Sequence, residues 1–145
     1  MRPYIHTQVG KTLIYPLVGM ALAGFAIALL WPNARISVLP GILLLITAVL
    51  FWKLTVTVDD KTLRLAFGPG LVSKNVPISA VERCEPMRVR FWHGWGIHLT
   101  TNGWLYNVSG PDAVIVTLRD GRRFCVGTDE PQELLAAIRR FASAR

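Results

Sequence analysis

Arginine and tryptophan are the residues of this chain best suited to recognition chemistry, and they cluster. The run Arg88-Val89-Arg90-Phe91-Trp92-His93-Gly94-Trp95, read as a strand, puts Arg88, Arg90 and Trp92 on one face and Met87, Val89 and Phe91 on the other. One face is then core, and the other presents two guanidiniums and an indole, with Trp95 close behind. A second basic group, Arg119, Arg122 and Arg123, crowds a hairpin tip at Asp120-Gly121. Guanidiniums beside an aromatic anchor suit an anionic lipid headgroup or an acidic protein partner. A solubilising face with a partly buried Trp accounts for the same residues, because Arg and Trp are also ordinary strand and surface residues.

The residues that serve catalysis elsewhere are poorly arranged here. Cys84 and Cys125 are far apart and form no CxxC pair, so they read as reduced, buried apolar side chains. His93 and His98 flank Gly94-Trp95-Gly96 without a third ligand at a plausible spacing. Ser73, Ser79, Ser109 and Ser143 lie in no Gly-x-Ser-x-Gly elbow. Gly68-Pro69-Gly70 lacks the Lys-Ser/Thr of a phosphate loop, and Glu82 and Glu85 read as a solvated face. No enzyme, metal or cofactor is expected.

The elements that must position the basic clusters follow from composition. The chain has 145 residues, 52% of them hydrophobic and only 17% charged, which is too apolar for a wholly soluble domain. Its net charge of +7 is not one stripe. Residues 1–53 hold Arg2, Lys11, Arg35 and Lys53 and no acid; every Asp and Glu lies after them. The basic excess therefore flanks apolar segments and elsewhere is diluted by acid, which excludes a nucleic-acid stripe.

Thr12–Trp31 and Ile36–Trp52 carry no charge. As helices they reach the roughly 30 Å of a bilayer core and its lower limit, respectively. Pro32-Asn33-Ala34-Arg35 is the turn between them, so residues 1–53 read as a transmembrane helical hairpin. Gly19 and Ala23 form a small-xxx-small pair, read as ordinary packing within the hairpin. Lys11 and Lys53 flank the spans and Arg35 alone lies in the turn, so the positive-inside rule puts both termini in the cytoplasm. A signal peptide is the rival reading, but its apolar core would be about 7–15 residues.

After Lys53 the period becomes two. Leu54–Val58 and Leu63–Phe67 read as strands about an Asp59-Asp60-Lys61 turn, and Val72–Val76 as a third. Val81–Phe91 contains Pro86, which implies an edge or a bulge. Hairpins are expected about Thr101-Asn102-Gly103 and Asp120-Gly121. Leu134, Leu135, Ile138 and Phe141 fall on one face of a C-terminal helix that starts at Pro131. The expected fold class is α+β: a two-helix transmembrane hairpin, then residues 54–145 as an antiparallel barrel or sandwich of about seven strands capped by a C-terminal α-helix.

Gly94-Trp95-Gly96-Ile97-His98, Gly103–Val108, Val114–Phe124 and Gly127-Thr128-Asp129-Glu130-Pro131 together resemble small bacterial membrane proteins with a pleckstrin-homology-like (PH-like) domain. The resemblance covers residues 54–145, and the double span fits it. It implies two orthogonal antiparallel sheets capped by a helix, acting as an interaction or assembly module, and it brings no catalytic residues. Phosphoinositide contacts are not carried over, because Asp59 and Asp60 in the first turn would repel phosphate. The expected protein sits in the bacterial inner membrane and contacts another protein or its own copies. The alternative is a reader of anionic lipid that uses Arg88, Arg90, Arg122 and Arg123.

Overall fold

The structure, a computed structural model, describes residues 2–90 and 96–143. Trp92 and Trp95 of the first cluster lie outside the described residues, as do Phe91, His93 and Gly94. Two open β-sheets share one core, a pair of apolar helices leaves them at one end, and a third helix packs into the core.

The first sheet is β1 (Tyr4–Val9), β2 (Lys53–Val58), β3 (Thr62–Phe67) and β4 (Val72–Pro77), each antiparallel to the next. Alternation sets its faces: Leu54, Val56 and Val58 are buried, while Thr55 and Thr57 between them stay half-exposed. The β2–β3 turn is fastened by Asp59, whose Oδ1 accepts from the backbone N–H of Lys61 (2.8 Å) and Thr62 (2.6 Å). These donors hold its carboxyl below the usual carboxylate range.

The second sheet contains β5 (Val81–Arg88), β6 (Gly96–Thr100), β7 (Gly103–Asn107), β8 (Asp112–Leu118) and β9 (Arg123–Gly127) in the order β5-β8-β9-β7-β6. Both expected hairpins form, β6–β7 and β8–β9. Pro86 sits on the edge strand β5, which carries a bulge between Val81 and Arg83. The β7–β9 pair is parallel, and neither sheet closes into a barrel. Leu65 and Phe67 meet Val116 and Phe124 between the sheets, and Leu134 and Ile138 of α3 (Pro131–Ser143) complete the same core. Each such side chain contributes roughly 1.5–3 kcal/mol on burial. The helix starts at Pro131 as the sequence implies, with the Thr128 hydroxyl accepting from the N–H of Glu130 at 3.1 Å.

The sequence pattern does not announce β1. Its inward residues are Tyr4, His6 and Gln8, while Ile5 and Val9 face outward, 63% and 40% exposed. Polar contacts hold it instead. His6 Nε2 lies 2.5 Å from Asp129 Oδ1 and its Nδ1 3.2 Å from Glu130 Oε2, at the start of α3. Gln8 Nε2 donates to the Ser109 carbonyl at 2.8 Å. Burial, and then the charges of Glu130, Asp129 and Glu133, push the Tyr4 phenol up to about 12.

Between β1 and β2 run α1 (Lys11–Leu30), a 3-10 turn (Pro32–Ser37) and α2 (Val38–Phe51). Lys11–Leu30, and Pro32–Phe51 with the 3-10 turn and α2 taken together, are long and apolar enough to cross a membrane by length and composition. Ala21 is fully buried and Gly41 lies under the Phe25 ring, so these residues form the helix–helix contact. Gly19 and Ala23 are exposed, which takes that pair out of the hairpin's packing. Ser37 ties the turn by donating to the carbonyls of Gly24 and Ala34, both at 2.8 Å.

The sheets therefore have two distinct ends. Val9 and Lys53 are partners in the β1–β2 ladder, so the helices emerge at that end. The β3–β4 turn is there too, with Gly68 N–H donating to the Lys53 carbonyl at 2.9 Å. So is the β7–β8 turn, where Thr12 Oγ1 donates to Ser109 Oγ at 3.4 Å. The opposite end holds the β2–β3 turn and the β8–β9 tip, linked by Ile78 N–H to the Lys61 carbonyl and Arg119 N–H to the Ala80 carbonyl, each 2.9 Å. Along β2 the two ends are about 17 Å apart.

Candidate ligand-binding cleft

β4 is the last strand of its sheet, and its register opposite β3 decides what it points inward. Leu65 faces the core and pairs with Lys74, so Lys74 also faces inward, between the sheets. Its ammonium donates to the Tyr106 hydroxyl at 3.2 Å. It lies 5.2 Å from the centroid of the Tyr106 ring and 4.9 Å from that of Phe124. Two aromatic faces thus hold the cation without any carboxylate, a contact worth about 0.5–2 kcal/mol.

Around Lys74 the sheets fail to meet, and a cleft of about 660 Å³ opens towards the end away from the helices. Its walls include Lys74 and Pro77 from the first sheet and Trp104, Phe124, Arg122 and Arg123 from the second. A smaller cavity of about 350 Å³ continues it along β4 towards the helices, sharing Lys74 and Trp104 and adding Phe67, Val72 and Ile97. Among the described residues no Asp or Glu lines either cavity. Arg122 is partly committed, with Nε 2.7 Å from Asp120 Oδ2. The backbone N–H of Arg122, and then its side chain, keep the Asp120 carboxyl below the usual range. Arg123 has no ion-pair or side-chain hydrogen-bond partner among the described residues. Trp104 is 48% exposed, an indole standing at the mouth of an otherwise cationic groove. Three cations and flat aromatic surface in a cleft of this size suit an anionic ligand larger than a single phosphate.

The basic residues singled out in the sequence are not one surface. Arg122 and Arg123 line the cleft. Arg119 stands at the same tip but is turned back, its Nε donating to the Ser79 carbonyl at 3.0 Å. Arg88 and Arg90 lie at the other end, beside the helices, where Arg88 Nε approaches Asp112 Oδ1 at 3.6 Å. Val89, between them, is buried in a small second cluster with Leu105, Ala113 and Cys125. The sequence reading missed Lys74 and Trp104. The signals were a lone Lys at an inward position of a strand and a Trp at the start of one; only the packing of the sheets joins them to Arg123.

The other reactive groups are structural in their surroundings. Cys84 and Cys125 are free and buried, and burial raises both thiols. Among the described residues no three of His, Cys, Asp and Glu come together to hold a metal ion. Comparison with protein-family models, with curated proteins and with solved structures finds no match.

Proposed function

We propose that this chain is a membrane-tethered, non-catalytic interaction module of the bacterial inner membrane, whose two-sheet domain binds an acidic partner in the cytoplasm. The observation that carries the reading is the cleft: three cations, the half-exposed Trp104 indole and, among the described residues, no carboxylate, at the end of the domain away from the helices. The membrane part rests on the helices. Only 6% and 11% of their apolar stretches are buried within the chain, so they are not core helices, and Leu22, Leu29, Leu39 and Leu43 are all at least 60% exposed. Apolar area of that kind needs an apolar surround. A cleaved signal peptide would also take β1 out of the sheet. The Val9–Lys53 pairing keeps both helix ends on one side of the bilayer. Lys11, Lys53, Arg88 and Arg90 at that end against Arg35 at the turn favour the cytoplasm. Two sheets with a C-terminal helix support the PH-like resemblance; the parallel β7–β9 pair departs from it.

Photo-crosslinking in cells tests this. A benzoylphenylalanine in place of Trp104, at the mouth of the cleft, should give a discrete adduct that disappears in a Lys74→Gln, Arg123→Gln background. The same group at Arg64, on the outer face of the first sheet, should give none. An adduct of twice the chain's mass would name a second copy as the partner. Equal labelling at both positions would end the proposal.

A second reading, anionic-lipid recognition, is favoured at the helix end alone. Lys11, Lys53, Arg88 and Arg90 lie there with Trp52 and Leu71, the last 79% exposed on the β3–β4 turn. Basic side chains near a charged leaflet add about 1 kcal/mol each. Amide exchange at residues 70–72 and 88–90 should then slow in nanodiscs of anionic lipid relative to zwitterionic lipid. Identical exchange in both would refute it.

A further inference from the structure

We propose that the cleft receives an extended acidic segment of another polypeptide, added as a strand along the outer edge of β4. The inference rests on the cleft being the binding site and goes further by naming the form of the ligand.

The backbone supplies the first argument. Among the described residues β4 ends its sheet, and its only strand partner is β3. Among the described residues no backbone hydrogen bond joins it to anything on the other side. The edge of β5 is different: α3 packs over it, and Arg139 Nη2 donates to the Cys84 carbonyl at 3.4 Å. An unpaired edge beside a groove is the geometry of strand addition, in which main-chain bonds give affinity and alternate side chains give specificity.

Shape supplies the second. The two cavities share Lys74 and Trp104 and together follow β4 from Pro77 to Val72, the whole length of the strand. A compact anion would use one end only. An extended segment uses all of it and sends every second side chain into the groove.

Charge supplies the third. Lys74, Arg122 and Arg123 line the groove and, among the described residues, no acid does. An inward-directed charge on an edge strand is a common guard against indiscriminate pairing. Here the same guard selects: an apolar strand would bury the Lys74 ammonium with no counter-charge beyond the Tyr106 hydroxyl and two aromatic rings, whereas a carboxylate opposite Lys74 compensates it. Headgroups of the protein's own bilayer are disfavoured, since the basic end of the groove is about 17 Å along the strands from the helices.

The test uses the full chain in nanodiscs of zwitterionic lipid at low salt. The probe is a fluorescent peptide of about eight residues with Glu alternating with Val and Trp, followed by anisotropy. Its Lys-for-Glu counterpart and a version N-methylated on alternate amides are run beside it. The Glu peptide should bind, the Lys peptide should not, and N-methylation should weaken binding roughly tenfold or more. Lys74→Gln with Arg123→Gln should weaken it by a similar factor. Undiminished binding of the N-methylated peptide overturns strand addition and leaves an anion-binding cleft. Failure of the Glu peptide to bind, or indifference to the double substitution, overturns the cleft itself. Displacement of the peptide by soluble inositol phosphates but not by excess unlabelled Glu peptide also overturns the proposal, in favour of a headgroup.

Discussion

Gly68 is where the helical pair rests on the sheets, and its replacement gives the most discriminating test of that junction. Gly68 adopts φ +50°, and a Cβ placed on it would lie 2.5 Å from both the Leu50 and Val49 carbonyl oxygens at the end of α2. Those are backbone atoms, so no rotamer change relieves them; the helix end or the β3–β4 turn has to move. Gly70, two residues on, has φ +92° and open space where its Cβ would be. Both Ala substitutions meet backbone strain, about 1–2 kcal/mol for a left-handed conformation. Only Gly68→Ala adds overpacking, about 1–3 kcal/mol. At roughly 2–4 °C per kcal/mol for a chain of this size, Gly68→Ala should melt about 2–12 °C below Gly70→Ala. Thermal unfolding followed by near-UV circular dichroism, in one detergent for both variants, reads the difference. Equal losses would refute the close approach of the turn to α2.

The carboxyl of Asp59 is depressed by the backbone N–H groups of Thr62 and Lys61. Its contribution is therefore present above the unfolded value near 3.9 and lost as pH falls through the folded value. Because the group is exposed, a few tenths to about 1 kcal/mol is expected, and Asp59→Ala should flatten the acid limb of the melting curve; an unchanged slope would count against the turn. His6→Ala removes the link between β1 and the start of α3, at a cost of about 1 kcal/mol, and should speed amide exchange across residues 4–9. Exchange that stays as slow as in the wild type would show that backbone pairing alone holds the strand. Burial raises the thiols of Cys84 and Cys125, so a maleimide should label native protein at least about tenfold more slowly than denatured protein. Similar rates would contradict their placement in the core.

Local patterns made most of the elements legible. The alternation at Leu54–Val58 and Leu63–Phe67, the Asp-Gly tip at Asp120-Gly121 and the apolar face of Leu134, Ile138 and Phe141 each carry their own periodicity or turn chemistry. What stayed hidden depends on partners distant in the chain. β1 is inverted relative to a self-burying strand: polar Gln8 is 7% exposed while Ile5 points out, and that makes sense only once Ser109, Asp129 and Glu130 are beside it. The parallel β7–β9 pair joins segments separated by another strand and leaves no local mark. The cleft was half legible. Arg122 and Arg123 stand out at a hairpin tip, but Lys74 is drawn in by the register of β4 and Trp104 by its place opposite Phe124. Arg88 and Arg119, alike in sequence, end at opposite ends of the sheets.

Val9 and Lys53 face each other as the last rung of the β1–β2 ladder. In chain topology the helical pair is thus an insertion into a hairpin loop, and the strands on either side need each other more than they need the helices. Removing residues 10–52 and joining Val9 to Lys53 through a short Gly-containing turn would leave the ladder in register. Truncation at residue 53 is a different operation. It strips an edge strand, bares the outer edge of β2 and creates a sticky surface that the intact chain never shows. A water-soluble version of this domain is better obtained by internal deletion than by trimming from the front.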